Sequence, residues 1–168
     1  QICKILYRFL TLSRSVNIII PAVRIEELLV NCVFNLLQQN HNNCKITIII
    51  DNDDKKEKLF SLPNENNIEI DIIKVNNINI STKRNIAAFK SKSDFLAFID
   101  SDAYPKTEWL NDAINFFKDK AVAAVGGPNI SPKTNNIEKI LVARSRKNSI
   151  VTLNNKVKSR KTKKYFID

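Results

Sequence analysis

The chain has 168 residues, 43% of them apolar and 26% charged, with a formal net charge of +10. This is enough for one domain whose core needs no covalent staples. No stretch reaches the length of a transmembrane helix, and no secretory signal is evident.

At the N-terminus, Ile2, Ile5, Leu6, Phe9 and Leu10 fall on one helical face, with Lys4 and Arg8 off it. Such a segment can lie on a membrane surface or pack on its own domain. Val16 to Ile20 is a β-branched run stopped by Pro21 and predicts a buried strand. Glu26 to Gln38 carries Leu29, Cys32, Val33, Leu36 and Leu37 at helical spacing. Ile46 to Ile50 predicts a second strand, which runs into Asp51-Asn52-Asp53-Asp54. Asp53 to Phe60 reads as a short helix, and Ile68 to Val75 alternates as a third strand.

Ser81 can cap a helix through Thr82, Lys83, Arg84 and on to Phe89. Phe95 to Ile99 predicts a fourth strand. Trp109, Leu110, Ala113, Ile114 and Phe117 mark one face of a further helix. Ala121 to Val125 predicts a fifth strand before Gly126-Gly127-Pro128. Strands alternating with helices predict an α/β fold, a mostly parallel open sheet with flanking helices and right-handed crossovers.

The strand ends carry the chemistry. The fourth strand finishes in Asp100-Ser101-Asp102, the second in Asp51, the first in Pro21-Ala22. A parallel sheet gathers these carboxyl ends into one crevice, where ligands bind. Acids placed there need partners, because unpaired buried carboxylates are costly. Asp51 can accept from a base N–H, Asp100 from a ribose hydroxyl, and Asp102 can hold Mg²⁺ or Mn²⁺ bridging a diphosphate. Arg84, near a helix start, can add positive charge beside that phosphate. Each residue also has a plainer reading: a turn or cap acid for Asp51, a simple turn around Asp100 and Asp102, a surface helix position for Arg84.

Charge is unevenly placed. Residues 139–164 hold ten Lys or Arg and no acid, whereas the rest of the chain balances at 17 basic against 17 acidic. This run suits anionic lipid, nucleic acid or phosphate, or a solvated tail. Aromatics are not interleaved with it apart from Tyr165 and Phe166, which argues against single-strand stacking and leaves nucleic acid out of the expected partners. Cys3, Cys32 and Cys44 lack metal-ligand spacing and read as free thiols. His41, among Asn and Gln, reads as a solvated loop residue.

From about Ser15 to Pro132 the chain resembles the nucleotide-sugar-binding part of glycosyltransferase family 2, enzymes of the GT-A fold. Val16-Asn17-Ile18-Ile19-Ile20-Pro21-Ala22 looks like the family's opening strand, and Glu27, Leu29, Cys32, Leu36, Leu37 and Gln39 fit its first helix. Ile48 to Asn52 stands where the family has its strand and Asp-Asp pair. Lys83-Arg84-Asn85 with Ala87-Ala88 resembles its Ala-Arg-Asn helix. Phe98 to Pro105 with Trp109-Leu110 resembles its Asp-x-Asp block, and Val122 to Asn129 the strand that follows.

The resemblance implies inverting transfer of a sugar from a nucleotide-diphosphate donor to a glycan or lipid-linked acceptor, at the cytoplasmic face of a membrane. Pro21, Ala22, Asp51, Arg84, Asp100 and Ser101 would bind the nucleotide sugar, and Asp102 the Mg²⁺ or Mn²⁺. Residues 1–14 would be an amphipathic segment, 15–132 the GT-A domain, and 133–168 a basic segment touching anionic lipid and leading to an acceptor half that holds the general base. Two departures touch the nucleotide pocket. Asp53 and Asp54 replace a Gly-Ser turn, and Val23-Arg24 replaces an aromatic-Asn pair. The alternatives are a nucleotide-sugar-binding module without turnover and a sugar-phosphate nucleotidyltransferase, the latter disfavoured because Pro21-Ala22-Val23-Arg24 is no Gly-rich phosphate loop.

Overall fold

A computed structural model describes residues 14–51 and 57–127. The amphipathic N-terminal stripe, Cys3, Asn52 to Asp54 and the basic run therefore lie outside the described residues. The chain divides into two compact units between Asn111 and Asp112.

Four strands form one parallel sheet in the order β3-β2-β1-β4. They are β1 (Val16–Pro21), β2 (Cys44–Asp51), β3 (Glu69–Val75) and β4 (Phe95–Phe98). The helices are α1 (Glu27–Leu37), α2 (Glu57–Phe60), α3 (Ile80–Lys90) and α4 (Trp109–Phe116). β1 is central, pairing Ile18 with Ile46 on one side and with Ala97 on the other. All six of its residues are buried, which is why it is apolar on both faces save for Asn17, whose Oδ1 accepts from Thr47 Oγ1 at 2.8 Å.

The connections from β1 to β2 and from β3 to β4 carry the chain in opposite directions across the sheet. Right-handed crossovers therefore put α1 and α3 on opposite faces. On the α3 face, Ile19, Ile49 and Ala87 form a buried cluster joined by Ile73, Val75, Ala88 and Phe98. Each isoleucine fully buried in this way contributes about 1.5–3 kcal/mol. α1 buries Leu29, Cys32, Val33, Leu36 and Leu37, the positions its periodicity marked. Its end is fastened by buried Gln39, whose Nε2 donates to the Lys106 carbonyl at 2.8 Å while its Oε1 accepts from Leu110 N–H at 3.3 Å.

Three expectations are corrected. Residues 122–127 form no ladder, so the expected fifth strand over Ala121 to Val125 is absent. Asp119 instead draws that segment into a turn, accepting from Ala121 N–H on its side chain and from Val122 N–H on its carbonyl. α3 is capped by Asn79, whose Oδ1 accepts from Thr82 N–H at 2.8 Å, and Ser81 lies inside the helix. His41 is buried, only 7% exposed: its Nε2 donates to the Arg14 carbonyl at 2.9 Å and its Nδ1 lies 3.2 Å from Asn111 Oδ1. The cause is that the loop folds back on the entry to β1 and on the start of α4. Among the described residues neither Cys32 nor Cys44 is in a disulfide. Burial pushes the Cys44 thiol up to about 11, which keeps it protonated at neutral pH.

The entry to β1 is clasped to the entry of β4. Ser15 N–H and Oγ both donate to Asp94 Oδ2 at 2.8 Å, and Asp94 N–H donates to Ser15 Oγ at 2.9 Å. The Ser15 backbone bond, then its hydroxyl, hold the Asp94 carboxyl below its ordinary value. Stability from a depressed carboxyl is full above the ordinary value and is lost as pH falls through the depressed one. Asp94→Asn is therefore expected to flatten the acid limb of the stability curve below about pH 4. Urea unfolding across that range measures it, and an unchanged slope would dismiss the clasp.

Candidate active site

β1 is flanked by β2, which the chain reaches first, and by β4, which it reaches last. The carboxyl end of β1 is thus the point where the strand order reverses, the place where open α/β sheets bind ligands. Three backbone bonds hold the strand ends level there. Ala22 N–H donates to Ile49 O at 2.9 Å, Asp51 N–H to Val23 O at 3.2 Å, and Ile99 N–H to Ile19 O at 3.2 Å. Beyond β4 the chain turns tightly, Ala103 N–H donating to Asp100 O at 3.1 Å, and this exposes Asp102. Pro21 and Ala22 are buried in the floor.

The first turns of α3 point two consecutive cations at this edge. Lys83 shares its helix face with Ala87, four residues on, and both are about 1% exposed against the sheet. Its Nζ donates to the Ala22 carbonyl at 2.6 Å and to Asp51 Oδ2 at 2.8 Å. A single ammonium thus ties the ends of β1 and β2 to α3. Arg84, the next residue, reaches the other neighbour of β1, with Nη2 2.6 Å from Asp100 Oδ1.

Two buried polar atoms have no hydrogen-bond partner among the described residues: Asp51 Oδ1 and Arg84 Nε. One is an acceptor and the other a donor, and both belong to this cluster. A buried polar atom left unpaired costs about 1–3 kcal/mol, so the chain leaves polar capacity in this cluster unsatisfied. A cavity of about 270 Å³ is lined by Ser101, which follows Asp100, and by Val23, Arg24, Glu26, Leu28 and Leu29 from the segment after β1.

The structure thus gathers Pro21, Ala22, Asp51, Arg84, Asp100, Ser101 and Asp102 at one edge of the sheet. Within that cluster Arg84 is paired with Asp100. Lys83 was missed by sequence reasoning, although its i,i+4 spacing to buried Ala87 was a usable signal that it faces the sheet. Asp51, Asp100 and Asp102 against Lys83 and Arg84 leave the cluster one negative charge in excess, which suits a cation.

No group of three His, Cys, Asp or Glu side chains capable of holding a metal occurs among the described residues. A cation here would take Asp102 and complete its shell with ligand oxygens. That arrangement fits Mg²⁺ and Mn²⁺, which commonly use one or two carboxylates together with substrate phosphates. The residues present fit the group. Asp102 is exposed and makes no hydrogen bond or ion pair among the described residues, so its oxygens are available.

The family described as Glycosyl transferase family 2 matches residues 17–166. Among solved structures, residues 1–349 of Staphylococcus aureus TarS superpose with a TM-score of 0.54 at 18% identity, over 71% of this chain and 38% of that one. The same protein solved in complex with UDP-GlcNAc gives 0.54 at 18%, over 71% and 37%. A mannosyltransferase from Pyrobaculum calidifontis, solved with GDP-Man and Mn²⁺, gives 0.58 at 14% identity, over 67% and 34%. The region matched spans little more than a third of these structures, and at such identities the likeness shows the fold. A comparison with curated protein sequences gives no match.

Proposed function

This chain belongs to glycosyl transferase family 2, and on that premise we propose that it holds a nucleotide-diphosphate sugar at the carboxyl edge of its sheet for inverting transfer to an acceptor hydroxyl. The observation that carries the reading is the convergence of Asp51, Asp100 and Asp102 with Lys83 and Arg84 at the strand-order reversal. The unpartnered Asp51 Oδ1 accepts from the base. Asp100 keeps its second oxygen for a ribose hydroxyl while Arg84 holds the first. Asp102 takes the divalent cation, Mg²⁺ or Mn²⁺.

When bound, such a cation supplies Lewis-acid stabilisation to the departing diphosphate. The chain's own residues bind and orient. The end of β1 sets the depth of the base, and the turn after β4 presents Asp102 toward the diphosphate. Arg84 Nε adds a donor to the same edge. The general base that activates the acceptor is assigned to none of the described residues. The reading is supported by two structural relatives solved with nucleotide-sugar donors, one with UDP-GlcNAc and the other with GDP-Man together with Mn²⁺.

No helix of the described residues is long and apolar enough to cross a membrane. The reading extends to glycan or lipid-linked acceptors at a cytoplasmic membrane face. There the N-terminal stripe and the basic run of residues 139–164 meet anionic headgroups.

Calorimetric titration with UDP, GDP and dTDP, each with Mn²⁺ and then with excess chelator, tests the proposal. At least one nucleotide is expected to bind with Mn²⁺ and to be released by chelator. Binding of none, or binding indifferent to the metal, overturns it.

A further inference from the structure

We infer that Lys83 is a specificity-determining residue: by occupying one oxygen of Asp51 it leaves a single acceptor for the base, and so selects uracil or thymine over guanine, cytosine and adenine. The inference rests on the reading above, in which Asp51 faces the base.

The geometry leaves Lys83 little freedom. Its side chain is 1% exposed, and its Nζ is fixed by the Ala22 carbonyl at 2.6 Å and by Asp51 Oδ2 at 2.8 Å. Releasing Asp51 would leave a buried ammonium without its counter-ion, which is strongly unfavourable. Oδ2 is therefore committed to the protein. Oδ1 is the atom left buried and without a partner among the described residues.

A carboxylate with both oxygens free accepts two parallel N–H donors as a fork. Guanine offers such a pair, its ring N1–H and the adjacent amino group. Asp51 can meet only one of them, and the other is desolvated without a partner. Uracil and thymine offer a lone ring N–H between two carbonyls, which one acceptor satisfies completely. The Lys83 ammonium beside that acceptor adds positive potential for a flanking carbonyl. Cytosine and adenine carry a ring nitrogen lone pair at the same position, which a carboxylate repels.

The test is calorimetric titration of the full chain with Mn²⁺ and UDP, dTDP, GDP, CDP, ADP or N3-methyl-UDP, then with Lys83→Met. UDP is expected to bind about tenfold or more tighter than GDP, CDP and ADP, and dTDP to fall below UDP only by what its missing 2′-hydroxyl contributes at Asp100. Methylating N3 of the uracil is expected to weaken binding about 10- to 100-fold, because a hydrogen bond to a charged acceptor is lost. In Lys83→Met both Asp51 oxygens are free, and the preference for UDP over GDP should shrink toward unity. A purely structural Lys83 would instead weaken all nucleotides together and keep their ratios.

GDP bound as tightly as UDP by the wild type, or N3-methyl-UDP as tightly as UDP, overturns the inference. Both readouts use the unmodified protein and stand even where Lys83→Met does not fold. Metal-dependent binding without base preference sinks this inference alone, whereas binding of no nucleotide sinks the donor site as well.

Discussion

Asp102→Ala abolishes metal-dependent nucleotide binding and leaves the melting temperature where it was. Asp102 is exposed, lies in the turn after β4, and has no hydrogen bond or ion pair among the described residues. Its removal strands no buried partner, so stability should stay within about 0.5 kcal/mol, as for surface substitutions generally. Binding is another matter. Loss of a residue that only orients a metal ligand costs about 10- to 100-fold, and loss of the carboxylate ligand itself should reach or exceed that upper figure. Titration of UDP, GDP or dTDP with and without Mn²⁺, beside a thermal melt, reads both quantities at once. An Asp102→Ala protein that binds nucleotide and metal normally would take the metal away from this edge.

Asp51→Ala gives the opposite pattern, with stability lost along with binding. The nearest charge to the fully buried Lys83 ammonium disappears, and the Ala22 carbonyl alone cannot compensate it. Breaking one side of a buried ion pair costs about 3–5 kcal/mol. For a chain of this size that corresponds to a fall in Tm of roughly 10 °C. The double variant Asp51→Ala with Lys83→Met should recover most of the loss, since no buried charge is then left unpaired and only the small void at position 51 remains. A double-mutant cycle by urea unfolding isolates the coupling. Additive losses would mean that the two charges do not support each other. It follows that Asp51→Asn, which keeps an oxygen acceptor and most of the side-chain volume, is the better probe of the base contact.

Arg84 and Asp100 differ from that pair in degree. The Asp100 side chain is 42% exposed and that of Arg84 21%, so water screens their attraction more than it does at Lys83. Asp100 can therefore exchange partners when a ligand arrives, whereas Asp51 is locked on one side.

Much of this architecture was legible in the order of residues. The apolar runs of β1 and β2, the 3.6-residue stripe of α1 and the acids at strand ends are local patterns. Local patterns specify elements because backbone hydrogen bonding and side-chain periodicity extend over only a few residues. Strand–helix alternation then gave the parallel sheet, because crossovers have one favoured hand. From these followed the edge of the sheet at which Asp51, Asp100 and Asp102 meet.

Long-range placement was not legible. Ala121 to Val125 has strand composition, yet Asp119 bonds the segment into a turn instead. His41 reads as a loop residue by its neighbours and is buried by contacts with Arg14 and Asn111, far away in sequence. Above all, Lys83 and Arg84 look like two charges on a helix surface. Only the seating of α3 on β1 and β2 sends the first under the sheet edge to Asp51, 32 residues away, and the second to Asp100. Local sequence offers an ammonium no means of marking its partner, because that choice depends on which strand ends the helix crosses. The sequence by itself determined which carboxylates gather at the edge. The tertiary structure alone decided which of their oxygens are held by Lys83 and Arg84, since burial and charge pairing fix that only once the helix is packed.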